Sequence, residues 1–162
     1  MRNQILHWAM FIIPWLSLFF MKKDEIKRYM PVALAAIITS ILIYETGIAF
    51  RWWVIGEYAY PLHLMPFHIG LFPVLTMWVF RFTFRKFWIF LLVELALNIG
   101  FDFGFLGYFL PAMGILSFEE MSRPVAVCVT TAHGLLLYAY QLCRTASLSG
   151  PVRIAGEPSN SA

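Results

Sequence analysis

Three polar residues recur at four-residue intervals within a strongly apolar segment. Glu94, Asn98 and Asp102 are separated by Leu, Ala, Ile, Gly and Phe residues. On an α-helix this spacing places all three on one face, because side chains at positions i and i+4 are neighbours. An acidic side chain inside a bilayer needs a partner or water, and such residues often mark functional sites. The spacing therefore predicts a polar helix face with a functional role.

Imidazole and carboxylate groups indicate metal chemistry as one such role. His63, His68 and Asp102 carry ligand types that suit a divalent metal such as zinc. A zinc-activated water would attack a lipid ester or amide, with Glu45 as the general base. The sequence has no HExxH motif, and Pro66 separates the two histidines, so they do not share one helical face. A membrane-embedded, metal-dependent hydrolase is one hypothesis.

Proton movement and ligand binding are the other two roles. Glu94, Asn98 and Asp102 would stack along about 12 Å of helix, and a relay to His133 or His68 would permit proton-coupled transport. Many transporters contain internal repeats, and this sequence has none that is recognisable. Polar side chains in a bilayer also hold helices together or line binding cavities. We favour this last, non-enzymatic role and keep the other two as alternatives.

The composition places these residues in a membrane. The chain has 162 residues, of which 60% are hydrophobic and 13% charged, whereas soluble domains are about one-quarter charged. Its 16 Phe and 6 Trp are typical of lipid-facing and interfacial surfaces. The basic residues fall in short clusters between apolar runs, which argues against a nucleic-acid-binding surface.

Five apolar runs predict an all-α bundle of about five transmembrane helices, which occupies residues 1–144. Each run is close to the roughly 20 residues that a transmembrane helix needs. We expect the third run to be the least regular, because it contains Pro66 and Pro73. Residues 145–162 are rich in Ser, Gly and Pro, which predicts a disordered cytoplasmic tail. The predicted spans cover about 4–21, 30–50, 62–80, 87–106 and 124–142.

The basic residues also predict the orientation. One set lies in the first and third linkers and in the tail, and the other set, which is smaller, lies at the opposite ends of the spans. The positive-inside rule then places the N-terminus outside and the C-terminus inside the cell. The first set is Lys22, Lys23, Lys27, Arg28, Arg81, Arg85, Lys86, Arg144 and Arg153, and the second is Arg2, Arg51 and Arg123.

This orientation brings the candidate polar residues together. At 1.5 Å per helical residue, most of them fall in the outer half of the bilayer, with His133 near its middle and Glu94 nearer the cytoplasm. The convergence predicts an outward-facing polar cavity or proton path. Its residues would be Glu45, Glu94, Asn98, Asp102 and His133.

Several short segments carry a resemblance to a known group of proteins. They are Pro14-Trp15-Leu16-Ser17, Arg28-Tyr29-Met30-Pro31-Val32, Trp52-Trp53, Phe72-Pro73-Val74 and Phe87-Trp88. Over residues 10–105 the chain resembles a family of small polytopic membrane proteins from Gram-positive, spore-forming bacteria. That family has no assigned activity, so the resemblance implies location and host type alone.

We therefore predict a multi-pass protein of the bacterial cytoplasmic membrane that binds a ligand, an ion or a partner. The lipid bilayer is its first expected partner, and a second copy of the chain or another membrane protein is the next. Nucleic acid is not an expected partner. The sequence identifies no cofactor, and zinc would be required only by the hydrolase alternative.

Overall fold

The computed structural model describes residues 3–61 and 66–148, and every long element in these ranges is a helix. The prediction of an all-helical fold is therefore confirmed. Two three-residue strands, which the sequence did not predict, also form. The helices are α1 (Gln4–Ser17), α2 (Lys23–Ala49), α3 (Leu71–Thr83), α4 (Phe87–Ala112) and α5 (Arg123–Leu148), and the strands are β1 (Trp53–Ile55) and β2 (Leu116–Phe118).

Three helices are long and apolar enough to cross a membrane. They comprise Lys23–Ala49, Phe87–Ala112 and Arg123–Ser147, and each exceeds the roughly 20 residues that a span requires. The apolar helix at Gln4–Phe20, which includes a 3-10 turn after α1, is shorter. Helix α3 has only 13 residues. The described structure thus supplies three candidate spans, where the sequence predicted five.

The third predicted span is interrupted, as its prolines indicated. A 3-10 turn at Pro66–His68 precedes α3, and part of the predicted span, residues 62–65, lies outside the described residues. The indole of Trp15 donates a hydrogen bond to the carbonyl of Ile69 at 3.0 Å. The interruption leaves the carbonyl of Ile69 outside regular helical hydrogen bonding, and the bond from Trp15 pairs it.

Several helix ends differ from the predicted spans. Helix α2 begins at Lys23 instead of residue 30, because the acidic residues Asp24 and Glu25 favour a helix N-terminus and Glu25 accepts a bond from the backbone N–H of Lys22 at 3.2 Å. Helix α4 continues to Ala112 and is π-helical over Gly100–Phe109. The sequence had predicted the end of this span at about residue 106.

The helices run up and down between two distinct ends. At one, the basic end, Arg81 pairs with Glu25 at 3.3 Å, and Arg144 donates to the carbonyl of Arg28 at 3.1 Å. At the other, the sheet end, β1 and β2 pair antiparallel with Trp53 opposite Phe118. Helix α1 begins at the sheet end and α5 finishes at the basic end.

The carboxylate of Glu57 anchors the start of α1 at the sheet end. It accepts hydrogen bonds from the backbone N–H of Asn3 and from the side-chain amides of Asn3 and Gln4, all at 3.1 Å. The bond from the Asn3 backbone, helped by that from Gln4, lowers the pKa of Glu57 to about 2. Glu57 therefore stays ionised at neutral pH and holds the loop after β1 against α1.

Trp53 closes the sheet end by packing against a glycine of α2. Its indole stacks on Tyr44, with ring centroids 6.4 Å apart and planes 18° apart, and lies edge-on to Phe118. The same indole covers Gly47 so closely that a β-carbon there would overlap the ring. Only glycine fits this contact.

We predict that Gly47→Ala lowers the melting temperature of the detergent-purified protein. Although alanine favours helix by about 1 kcal/mol, overpacking against a fixed ring costs about 1–3 kcal/mol. Gly104→Ala is the matched control, because a β-carbon at Gly104 meets no atom within 4 Å. Thermal unfolding followed by circular dichroism should show a lower melting temperature for Gly47→Ala alone. Equal behaviour of both would contradict the packing argument.

Candidate ligand-binding cavity

A cavity of about 80 Å³ lies at the sheet half of the bundle. Its walls come from α2, α4 and α5, from the turn at Pro66–His68 and the start of α3, and from both strands. One water molecule needs about 10–15 Å³ by this measure, so the cavity has room for a group of several heavy atoms. Small-molecule sites often lie between the helices of a bundle.

Aromatic and aliphatic side chains form most of the wall. Six aromatic residues contribute from five different elements and from the turn, and several of them contact one another through their rings. The cavity is therefore largely apolar, with a few polar groups at defined positions. The six aromatic residues are Tyr44, Trp53, Phe67, Phe72, Phe101 and Phe118.

Among the described residues, Asp102 is the one acidic side chain in the wall. It is 0% exposed, although it belongs to the π-helical part of α4. Its Oδ2 accepts a hydrogen bond from the hydroxyl of Thr130 on α5 at 2.8 Å, whereas Oδ1 has no hydrogen-bond partner among the described residues. Buried polar atoms are nearly always paired, so Oδ1 is available to a group that enters the cavity.

Asn98 and Glu94 continue the polar face of α4 toward the basic end. The amide of Asn98 donates to the hydroxyl of Thr131 at 3.1 Å and lies 3.5 Å from a carboxylate oxygen of Glu94. Glu94 also packs against Gly134, where a β-carbon would overlap its carboxylate. Asn98 lines the cavity, and Glu94 instead fills the contact between α4 and α5.

His133 connects α5 to α2 at the wall of the cavity. Its Nε2 lies 2.5 Å from the hydroxyl oxygen of Thr39, which is also 2.8 Å from the carbonyl of Ala35. A hydroxyl has one proton, so both contacts are satisfied when Thr39 donates to Ala35 and accepts from Nε2–H of His133. We assign this tautomer from the hydrogen-bond pattern. The imidazole also stacks on Phe72, with planes 16° apart.

His68 supplies a second imidazole to the wall. It is only 9% exposed and packs against the rings of Phe67 and Tyr44, with centroids 3.8 and 4.7 Å away. Neither ring nitrogen has a hydrogen-bond partner among the described residues. His68 therefore has two unpaired ring nitrogens and belongs to the cavity wall.

The structure brings together only part of the predicted site. Asn98, Asp102 and His133 line one cavity with His68, whereas Glu45 is exposed to the surroundings and is absent from the wall. His63 lies outside the described residues. Within the described ranges, no three His, Cys, Asp or Glu side chains are placed to hold a metal ion. Because His63 is one of its ligands, the zinc site stays a prediction.

Sequence reasoning missed the aromatic wall and the threonines that contact the polar residues. Phe and Trp were assigned to lipid contact, and no periodicity distinguishes a ring that faces lipid from one that faces a cavity. Threonine is common in apolar helices, so the sequence does not distinguish Thr39, Thr130 and Thr131 from other threonines. Their positions opposite His133, Asp102 and Asn98 depend on which helices are neighbours.

Comparison with known proteins supplies no family for this fold. No protein-family model, no curated protein and no solved structure matches the chain. The resemblance to small membrane proteins of spore-forming bacteria thus stays an expectation from the sequence.

We predict that Thr39→Val destabilises the protein by about 1 kcal/mol. The change keeps the side-chain shape but leaves the buried N–H of His133 without an acceptor, a loss that costs about 1–3 kcal/mol. Hydrogen bonds between membrane helices average about 0.6 kcal/mol, so the lower part of that range applies. Denaturant titration in detergent micelles measures the difference.

Thr46→Val is the matched control for this prediction. Thr46 lies on the same helix and donates to the carbonyl of Leu42 at 2.7 Å, as Thr39 does to Ala35. It is exposed, and the structure shows its hydroxyl bonded within α2 alone. The control should lose much less stability. A similar loss of stability in both variants would show that it comes from the hydrogen bond within α2 and not from the contact with His133.

Proposed function

We propose that the chain is a five-span protein of the bacterial cytoplasmic membrane whose cavity binds a small, largely apolar ligand. In this arrangement α2, α4 and α5 cross the bilayer as long helices, and α1 and α3 cross it together with their adjoining 3-10 turns. The sheet end faces outward and the basic end faces the cytoplasm, as the positive-inside rule requires. The cavity then opens in the outer half of the membrane domain.

The outer surface of α4 supports the membrane assignment. Its large apolar side chains are extensively exposed, among them Leu92 at 68%. Trp88 and Tyr108, both more than 70% exposed, lie near opposite ends of the helix. Their separation along the helix corresponds to about 30 Å, the thickness of a bilayer hydrocarbon core. Aromatic residues at this spacing are typical of the two membrane interfaces.

The observation that carries the binding function is the pairing of an apolar wall with buried polar groups that lack partners. Oδ1 of Asp102 and both ring nitrogens of His68 belong to residues that line the cavity. An unpaired buried polar atom costs about 1–3 kcal/mol, and a ligand that pairs with these atoms recovers that free energy. Pockets of mainly apolar character with a few placed polar groups are typical ligand sites.

A thiol-labelling experiment tests the orientation. Cys128→Ser leaves Cys143, which is exposed near the basic end, as the single cysteine. A second variant removes both cysteines and carries Ser117→Cys on the exposed face of β2. A membrane-impermeant maleimide added to intact spheroplasts should label the second variant and reach Cys143 only after lysis. Labelling of Cys143 before lysis would reverse the proposed orientation.

Ligand binding is tested with a bromoalkanol, which has an apolar chain and one hydroxyl and quenches tryptophan on contact. Trp53 lines the cavity and serves as the reporter. We expect quenching with a saturable component that Trp53→Phe removes. Val129→Phe, which fills the cavity from α5, should abolish this component. Val125→Phe, one turn earlier on an exposed position, should retain it. Quenching that rises linearly in all variants would indicate partition into detergent and refute the binding function.

A further inference from the structure

We infer that the ligand is a lipophilic ammonium cation, held between the carboxylate of Asp102 and the aromatic wall of the cavity. This inference rests on the proposed binding function and specifies the chemical class of its ligand. Such a molecule has a quaternary or protonated amine attached to an apolar body.

The first argument is the uncompensated acid. Asp102 is completely buried, and in the described part of the chain it forms no ion pair. No Lys or Arg of residues 3–61 and 66–148 lines the cavity. The guanidinium of Arg123, at the start of α5, donates to the carbonyl of Gly107 instead. A carboxylate in a low-dielectric site is stable in its charged form only beside a positive group, and a bound cation would supply one.

The second argument is the nature of the wall. Six aromatic side chains surround the space that Asp102 lines, and rings attract cations through the negative potential of their faces. Phe101 is adjacent to Asp102 in the chain, its ring centroid lies 6.0 Å from that of Phe67, and all three residues line the cavity. Aromatic rings combined with a single acid are a common arrangement for recognising quaternary ammonium groups.

The third argument distinguishes an organic cation from a metal ion. Metal ions need several oxygen, nitrogen or sulfur ligands around one point, and the described residues provide no such group. An ammonium with alkyl substituents needs little coordination, because its charge is spread over apolar groups that tolerate ring contacts. The apolar body then fills the aliphatic part of the wall, which includes Ile43, Leu106 and Val129.

The experiment compares two probes of the same shape. One is an alkyltrimethylammonium ion, and the other is the neutral hydrocarbon in which carbon replaces the charged nitrogen. Each competes with the bromoalkanol for the saturable quenching of Trp53. In the unmodified protein we expect the cation to bind at least about tenfold more tightly than the neutral probe, a ratio typical of a desolvated cation site. Equal affinities would overturn the inference and leave the binding function intact.

Variants then assign the preference to Asp102. Asp102→Asn keeps the shape and the contact with Thr130 but removes the charge, so the ratio of affinities should fall to about one to threefold. Glu94→Gln removes the neighbouring acid of α4, which does not line the cavity, and should keep the full ratio. If Asp102→Asn retains the cation preference, the assignment to Asp102 is wrong.

Two further outcomes distinguish failure of the inference from failure of the binding function. If Asp102→Asn does not fold, Phe101→Leu replaces it, and loss of one ring should reduce the preference for the cation while the neutral probe binds as before. An unchanged ratio in that variant would overturn the role of the wall. If neither probe displaces the bromoalkanol, and the bromoalkanol itself shows no saturable quenching, the binding function fails together with the inference.

Discussion

The burial of Asp102 between two helices is the constraint on which the rest of this structure depends. A carboxylate with no exposure must have its oxygens paired, and Thr130 of α5 pairs with only one of them. This contact fixes how α4 and α5 lie against each other at the sheet end. It also leaves one oxygen without a partner among the described residues, so a single residue both positions the helices and presents an unpaired acceptor at the cavity wall.

Helix α5 takes part in the interhelical hydrogen bonds of Asp102, Asn98 and His133 beside the cavity. Thr130 and Thr131 reach Asp102 and Asn98 on α4, and His133 reaches Thr39 on α2. Each contact joins groups on facing helices, and such bonds fix the relative rotation of helices that apolar packing alone would allow to slide. Gly134 permits the same helix to approach Glu94 closely. Helix α5 is therefore the element that determines the shape of the site.

The sheet end contributes aromatic rings to the wall of the cavity. Trp53 and Phe118 face each other across the two-stranded sheet, and both line the cavity. The indole is held against Gly47 and Tyr44, so its position is coupled to the end of α2. Hydrogen bonds between β1 and β2 pair part of the backbone in these two connections, where the chain is not helical.

The sequence by itself determined the helical class, the apolar character of the spans and the shared face of Glu94, Asn98 and Asp102, because these depend on composition and on a local period of 3.6 residues. Tertiary structure decided which members of that face reach the cavity. Burial increases along it from Glu94 to Asp102, and Glu45 lies on an exposed face of α2. The strands, the π-helical segment and the partners of Thr39 and Thr130 also escaped prediction, since each arises from contacts between residues far apart in the chain. A local pattern specifies a face, and only the packing of neighbouring helices decides whether that face meets lipid, another helix or a cavity.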